Sequence, residues 1–224
     1  MNNLQKRILT SIIILPLSFF FILKGGYFLL FFLLGIFFLA NYELFSFFSK
    51  KNIILFFDLI LILSLYSIYY LADKDSISLY LLLWVIILVI CSDVGGYIFG
   101  KIFKWKKITK LSPKKTLSGV IGSFIFSLFS VLIANALIPK LINTFTPLDS
   151  LKINFLEPKF FFLCIILSLV AQAGDLAISY FKRLEKIKDI GKILPGHGGI
   201  FDRIDGLMFV VVFTLILYFF KVVP

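Results

Sequence analysis

Apolar runs long enough to cross a lipid bilayer follow one another along almost all of this 224-residue chain. A helix of about 20 apolar residues spans the roughly 30 Å hydrocarbon core of a bilayer. A window of that length predicts seven spans, at residues 8–23, 26–48, 53–71, 77–100, 117–138, 159–181 and 206–222. The predicted fold is therefore all-α, a polytopic helical bundle embedded in a membrane.

The seventh span is the least regular of the set. Only Leu207 to Phe220 is continuously apolar, and that run is shorter than a full crossing requires. We therefore expect the last helix to begin among the polar residues that precede Leu207. Such a start would bring those polar residues to the edge of the membrane.

The basic residues predict how the bundle is oriented. If the N-terminus is cytoplasmic, only six of the 23 basic residues fall in outer segments, namely Lys24, Lys74, Lys140, Lys152, Lys159 and Lys221. Cytoplasmic segments of membrane proteins carry an excess of Lys and Arg, so this split favours a cytoplasmic N-terminus. Topology then accounts for the net charge of +11, and the expected partner is the lipid bilayer rather than a nucleic acid.

Two cytoplasmic loops, 101–116 and 182–205, contain polar residues that topology alone does not require. We interpret residues 1–90 as N-terminal transmembrane helices and residues 91–224 as a catalytic transmembrane region that includes both loops. Both parts belong to a single membrane domain. The function is expected to lie in the two loops and at the helix ends that flank them.

The sixth span carries a polar stripe. Asp175, Ser179, Lys182 and Arg183 fall on one helical face, because their spacing follows the helical period. Asp175 lies about two turns inside the basic boundary at Lys182. A carboxylate at that depth is costly unless it faces a wet cavity, a cation or a partner, so it is a candidate functional residue. The alternative is a buried Asp175–arginine ion pair that only holds helices together.

The segment after the sixth span surrounds the chain's single histidine, His197, with Pro195, Gly196, Gly198 and Gly199. Glycines allow the backbone to approach a ligand and to turn its N–H groups toward an anion. The segment also leads to the start of the last helix, where phosphate is favoured. His197 is interpreted either as a phosphate contact or proton donor to a leaving pyrophosphate, or as a cap of the turn.

Further carboxylates are placed to meet at the same membrane edge. Asp202 and Asp205 lie three residues apart on the first turn of the last helix, where they can reach the side of Asp175. Oxygen ligands together with a polyphosphate substrate are what Mg²⁺ prefers. The pattern predicts a shared divalent cation.

The loop before the fifth span contributes hydroxyl and amine groups, at Ser112, Lys114, Lys115 and Thr116. At a helix start these groups suit phosphate oxygens, although lysines that only set topology would look similar. Asp93 lies on the preceding span, and the Gly96–Gly100 pair after it is also typical of a helix-packing face.

From Ser179 to Asp205 the chain resembles the signature of the phosphatidate cytidylyltransferase family, S-x-x-K-R-x₄-K-D-x-G-x-x-L-P-G-H-G-G-x-x-D-R-x-D, at every fixed position. Residues 112–116 resemble the family's S-P-K-K-T loop, and the whole likeness covers residues 93–205. Ser118 departs from the family, which usually has an acidic residue there. Residues 93–97 read D-V-G-G-Y where the family often has D-T-G-A-Y.

The resemblance implies an Mg²⁺-dependent nucleotidyltransferase of phospholipid biosynthesis, with CTP and phosphatidate as substrates and CDP-diacylglycerol and pyrophosphate as products. The family's metal-binding aspartates correspond to Asp175 and Asp202, and a second cation stays open. Other residues are expected to be catalytic: Lys182, Arg183, Lys188, Asp189, His197, Arg203 and Asp205. A further set is expected to bind substrate: Asp93, Ser112, Lys114, Lys115, Thr116, Ser179, Gly196, Gly198 and Gly199. The expected location is a bacterial-type inner or cell membrane, with the active site facing the cytoplasm.

Two other functions remain compatible with the membrane setting. A CTP-dependent polyprenol or phytol kinase would share the phosphate chemistry but would release CDP instead of pyrophosphate. A cation-coupled transporter would use the intramembrane carboxylates Asp58, Asp93 and Asp175 as an ion path, but it has no need of two phosphate-binding loops. A homodimer is one of the assemblies left open.

Overall fold

The computed structural model describes residues 3–109, 115–145, 153–187, 190, 191, 193 and 198–224. Within these residues the chain is helical, apart from loops and one isolated bridge. Seven α-helices follow one another: α1 (Asn3–Lys24), α2 (Gly26–Phe47), α3 (Lys51–Asp73), α4 (Ser76–Phe103), α5 (Leu117–Phe145), α6 (Pro158–Leu184) and α7 (Phe201–Phe219). The predicted all-α bundle is confirmed.

Helices α2 to α6 are each long and apolar enough to cross a membrane, as judged by length and composition. The outward face of α2 is apolar along its length, since Phe31, Phe38 and Phe45 are 71%, 68% and 65% exposed. A helix facing water would carry polar side chains on that face. The surface of the bundle therefore suits lipid.

Two helix boundaries bear on the predictions. Helix α7 begins at Phe201, so Asp202 and Asp205 lie on its first turns, as the short last apolar run indicated. Helix α5 continues through Pro139 to Phe145, beyond the predicted end of that span. Ile138 and Ile142 are 1% and 2% exposed, so burial of this last part of the helix offsets the hydrogen bond that proline cannot donate.

Helix α4 lies at the centre of the larger apolar core. Its Trp84 is fully buried between Phe155 and Phe160, with ring centroids at 5.7 and 5.1 Å. A second apolar cluster lies among α2, α3, α6 and α7 and includes the buried side chains of Phe57 and Phe201. This second cluster supports the end of the bundle at which α7 begins.

Glycines bring α4 and α5 into close contact. A Cβ atom at Gly95 would collide with the carbonyl oxygen of Gly122, and one at Gly96 would lie 2.7 Å from Ser123 Oγ. The glycines of this segment thus form a helix-packing face, as the spacing of Gly96 and Gly100 indicated. The close contact places Asp93, on α4, beside the start of α5.

The two ends of the α4–α5 loop pair with each other. The backbone N–H of Leu117 donates to Lys106 O at 2.9 Å, and that of Ile108 donates to Lys115 O at 3.1 Å. These bonds, with the bridge between Lys107 and Thr116, hold the residues that precede α5 against those that follow α4. Lys115 is thereby fixed at the same end of the bundle as the start of α7.

Candidate active site

A polar cavity of about 370 Å³ opens at this end of the bundle. It lies between α4, α5, α6 and α7. Its lining contains four carboxylates and one lysine along with small residues: Asp93, Gly96, Tyr97, Lys115, Thr116, Gly119, Val120, Ser123, Ala171, Gln172, Asp175, Asp202, Asp205 and Gly206. We call these residues the acid cavity.

Asp175 forms an ion pair with Lys115 across the acid cavity. The ammonium group of Lys115 also donates to Gln172 O at 3.3 Å, one turn earlier on α6. The side chain of Asp175 is 36% exposed and that of Lys115 is 22% exposed, so the pair faces the cavity and is not buried in the core. The cation beside Asp175 is therefore a lysine from the S-P-K-K-T loop and not the arginine considered from the sequence.

Asp202 is held more tightly than Asp175. Its Oδ1 accepts a hydrogen bond from Lys182 Nζ at 2.9 Å, and its Oδ2 accepts one from the backbone N–H of Ile190 at 2.9 Å. The side chains of Lys182 and Asp202 are 11% and 9% exposed. This aspartate therefore joins α6, α7 and the segment between them at the wall of the cavity.

Asp93 and Asp205 bring two more negative charges to the same space. Asp205 Oδ1 accepts the N–H of Gly206 at 2.8 Å, and its charge is repelled by those of Asp175 and Asp93. Arg203 is exposed but close enough to act electrostatically on Asp93. Like charges this close favour a bound cation or a ligand that brings one.

The S-P-K-K-T loop ends in a helix cap. Thr116 Oγ1 accepts the N–H of Gly119 at 3.2 Å, which satisfies a donor in the first turn of α5. Ser118, which stands where the family usually has an acid, is 2% exposed and bonds Thr116 Oγ1 at 3.0 Å. Position 118 thus supports the cap and does not line the acid cavity.

The structure brings several predicted site residues together on one cavity: Asp93, Lys115, Thr116, Asp175, Asp202 and Asp205. Other predicted site residues are described but do not line it: Ser179, Lys182, Arg183, Gly198, Gly199 and Arg203. Six predicted site residues lie outside the described part of the chain: Ser112, Lys114, Lys188, Asp189, Gly196 and His197.

Gly198 and Arg183 have definite local roles in this arrangement. Gly198 has a φ of 92°, a backbone conformation that is strained for residues with a side chain, and a Cβ atom there would lie 3.6 Å from Asp202 Oδ2. The guanidinium of Arg183 donates to Ile187 O at 3.3 Å and so closes the turn after α6. Arg183 thus acts just after α6, and Gly198 lies close to Asp202 just before α7.

One acidic residue near the site was missed by the sequence reasoning. Glu43 lies on the last turn of α2, is 1% exposed, and accepts the N–H of Phe201 at 3.2 Å. A lone carboxylate inside an apolar run is the signal that singled out Asp175, and the same signal applies to Glu43. Its partner lies 158 residues away, so no local pattern reveals the contact.

Together, the fold and the acid cavity define a polytopic helical membrane protein with a carboxylate-lined polar site at one end of its bundle. The sequence pattern of the cytidylyltransferase family matches residues 52–221, and the chain belongs to this family. The family predicted from the loop motifs is thereby confirmed.

Curated relatives agree with this assignment. The chain is 34% identical to the phosphatidate cytidylyltransferase of Rickettsia conorii over 99% of its own length and 92% of that protein. It is 39% identical to the Helicobacter pylori enzyme of the same name over 57% of its length and 43% of that protein. The enzyme of that name from Staphylococcus saprophyticus is also 39% identical, over 63% of this chain and 50% of that protein. The chain thus spans nearly all of one relative and about half of the others.

Proposed function

We propose that this chain is a phosphatidate cytidylyltransferase, which transfers CMP from CTP to phosphatidate and releases pyrophosphate. The observation that supports this most directly is the acid cavity, where carboxylates from α4, α6 and α7 face lysines at one end of a membrane bundle. A lipid phosphate and a water-soluble nucleotide can meet only at such an edge. The Rickettsia conorii protein that bears this enzyme name matches over 99% of the chain, and so over the helices that build the cavity.

The reaction needs no activated side-chain nucleophile. A phosphate oxygen of phosphatidate attacks the α-phosphorus of CTP, and the bond from that phosphorus to the bridging β-phosphate oxygen breaks. The electron pair leaves with pyrophosphate. Because the nucleophile is already an anion, the protein must mainly align two polyanions and stabilise the developing charge.

The lysines of the site are suited to that task. Lys115 faces the cavity from the start of α5, and Lys182 lies behind Asp202. We assign Lys115, together with the exposed Arg203, whose charge acts on Asp93, to the phosphate groups of the substrates. Lys182 keeps the carboxylate of Asp202 oriented toward the cavity.

The donor set also fits Mg²⁺. Across the described residues, no three His, Cys, Asp or Glu side chains lie close enough to hold a metal ion by themselves. Mg²⁺ is usually held by one or two carboxylates together with substrate phosphates. Asp175 on α6 and Asp202 on α7 are two of the four carboxylates that line this cavity. Asp175 and Asp202 would hold the ion, with Asp93 and Asp205 beside them. Mg²⁺ would supply charge neutralisation for the departing pyrophosphate.

We further propose that the cavity faces the cytoplasm, where CTP is made. The basic residues support this orientation, since the loops at the acid cavity are the lysine-rich ones. A cysteine placed at exposed Lys104, next to the cavity end of α4, should react with a membrane-impermeant thiol reagent only in inside-out vesicles. Reaction in right-side-out vesicles would reverse the orientation.

The proposed activity is tested with purified protein in detergent, supplied with phosphatidate, Mg²⁺ and each nucleoside triphosphate in turn. We expect pyrophosphate and CDP-diacylglycerol in equal amounts with CTP, and neither product when Mg²⁺ is replaced by EDTA. Release of CDP with a phosphorylated alcohol would instead identify a lipid kinase. Ion flux in proteoliposomes without any CTP turnover would identify a transporter.

A further inference from the structure

Glu43 is a carboxylate placed inside the apolar cluster that supports the start of α7. It is 1% exposed, and its neighbours Ala40 and Leu44 on α2 are fully buried. A carboxylate in such surroundings costs free energy unless backbone or side-chain donors satisfy it. The residue therefore has to be explained by what it contacts.

Its first contact is with the end of α7. Glu43 Oε2 accepts the backbone N–H of Phe201, the first residue of that helix, at 3.2 Å. The residue before it, Ile200, provides no side-chain cap. The first N–H groups of a helix lack partners within the helix, and their positive end favours a carboxylate. Glu43 thus caps α7 from a different helix.

Its second contact is with the glycine loop, by which we mean the described residues 190, 191, 193 and 198–200 between α6 and α7. A Cβ atom at Gly191 would collide with Glu43, and the three nearest atoms it would meet all belong to that side chain. A Cβ atom at Gly199 would lie 2.7 Å from Glu43 Oε2. Gly191 and Gly199 therefore both lie against the carboxylate, and the need for glycine at these two positions is explained by Glu43.

The same loop is bound at its other end by Asp202. The N–H of Ile190 donates to Asp202 Oδ2 at 2.9 Å, while Glu43 holds the N–H of Phe201, the residue next to Asp202. One carboxylate lies outside the cavity and the other lies on its wall. If the loop and the start of α7 moved away from Glu43, both Ile190, which donates to Asp202, and Phe201, which precedes Asp202, would shift.

From these contacts we propose that Glu43 is a positioning residue, which fixes the glycine loop and the start of α7 and thereby sets Asp202 in the acid cavity. The part of this inference that concerns catalysis rests on the proposed cytidylyltransferase activity. The part that concerns the contact with Gly191 can be tested without any activity.

The catalytic part is tested with Glu43→Ala, Glu43→Gln and a matched variant, Leu44→Ala. Loss of a group that orients a metal ligand costs about 10- to 100-fold, so Glu43→Ala should raise the Mg²⁺ concentration for half-maximal activity and the KM for CTP by about tenfold or more. Glu43→Gln keeps an oxygen acceptor for Phe201 and should recover most of that loss. Leu44→Ala removes a neighbouring buried side chain and should lower Tm without changing either constant.

A purely structural role gives a different result. If Glu43→Ala lowers Tm as Leu44→Ala does, yet leaves the Mg²⁺ dependence and the KM for CTP at wild-type values, the positioning role is wrong. Failure of Glu43→Gln to recover activity over Glu43→Ala would also contradict it, because the acceptor oxygen would then not matter.

The contact is tested with a double-mutant cycle measured by thermal unfolding in detergent. Gly191→Ala should lower Tm strongly when Glu43 or its isostere Gln is present, because the new methyl group collides with that side chain. In the Glu43→Ala background the drop should be much smaller, since residues in contact show strong coupling. If Gly191→Ala lowered Tm equally with Glu, Gln or Ala at position 43, the proposed contact between Gly191 and Glu43 would be wrong. This readout stays valid even if the wild-type protein releases no pyrophosphate, in which case only the proposed activity fails.

Discussion

Aspartates occur at both ends of the helical bundle, and their surroundings differ. At the end where α1 turns into α2 and α3 into α4, they close turns. Asp73 Oδ1 accepts the N–H of Gly26 at 2.9 Å, and Asp75 Oδ1 accepts the N–H of Ser78 at 2.7 Å in a capping box. Each of these carboxylates stabilises a helix start that needs an acceptor.

At the opposite end, aspartates from three helices line one cavity. Asp93, Asp175 and Asp205 come close enough to repel one another. Among the described residues, Asp175 pairs with Lys115 and Asp202 pairs with Lys182. Stability alone would favour separation of these charges. The contrast indicates that acids at the turn end serve the fold, whereas those at the cavity end serve a ligand that brings positive charge.

The largest expected effect is for Asp202→Asn at the cavity end. Asparagine keeps the shape but loses the charge that pairs with Lys182, so we expect turnover to fall by at least about a hundredfold. Pyrophosphate release measures turnover, and thermal unfolding reports whether the protein is still folded. Near-normal turnover would contradict the assignment of Asp202 to the metal ion.

A smaller effect is expected for Lys115→Gln. A hydrogen bond to a charged group is worth about 1.5–3 kcal/mol, so loss of this cation should raise the KM for CTP about 10- to 100-fold. The matched control is Lys159→Gln, which breaks an exposed ion pair with Glu157 at 2.8 Å outside the cavity. Exposed pairs contribute little, so that variant should behave as wild type. An unchanged KM for Lys115→Gln would mean that this lysine only neutralises Asp175.

The same contrast separates what the sequence predicts from what it cannot. Hydropathy predicts the seven helices, since each apolar run is a local property, and the depth of Asp175 in its run marks it as a functional candidate. The carboxylates of the cavity were therefore found from sequence. The pairing of Asp175 with Lys115 was not predicted, because the spacing of residues along α6 does not reveal which other helix packs against it.

Contacts across the bundle set this limit. Glu43 is the one acid in the apolar run 26–48, and its role depends on the N–H of Phe201, 158 residues away. The continuation of α5 beyond Pro139 has the same origin, since burial of Ile142 against other helices overrides a local stop signal. Tertiary packing, which no window along the chain can measure, decides all of these features.

The smallest effect on activity is expected for Asp75→Ala at the turn end. Removal of a helix N-cap costs about 1 kcal/mol, and the variant also loses the weak bond from Tyr218 OH at 3.3 Å. We therefore expect a small decrease in Tm, with kcat, the KM for CTP and the Mg²⁺ dependence unchanged. Tyr218→Phe serves as the control, because it removes only the 3.3 Å bond and should change Tm less. If Asp75→Ala instead changed the KM for CTP at an unaltered Tm, the two ends of the bundle would be coupled, and the division of roles between their aspartates would be wrong.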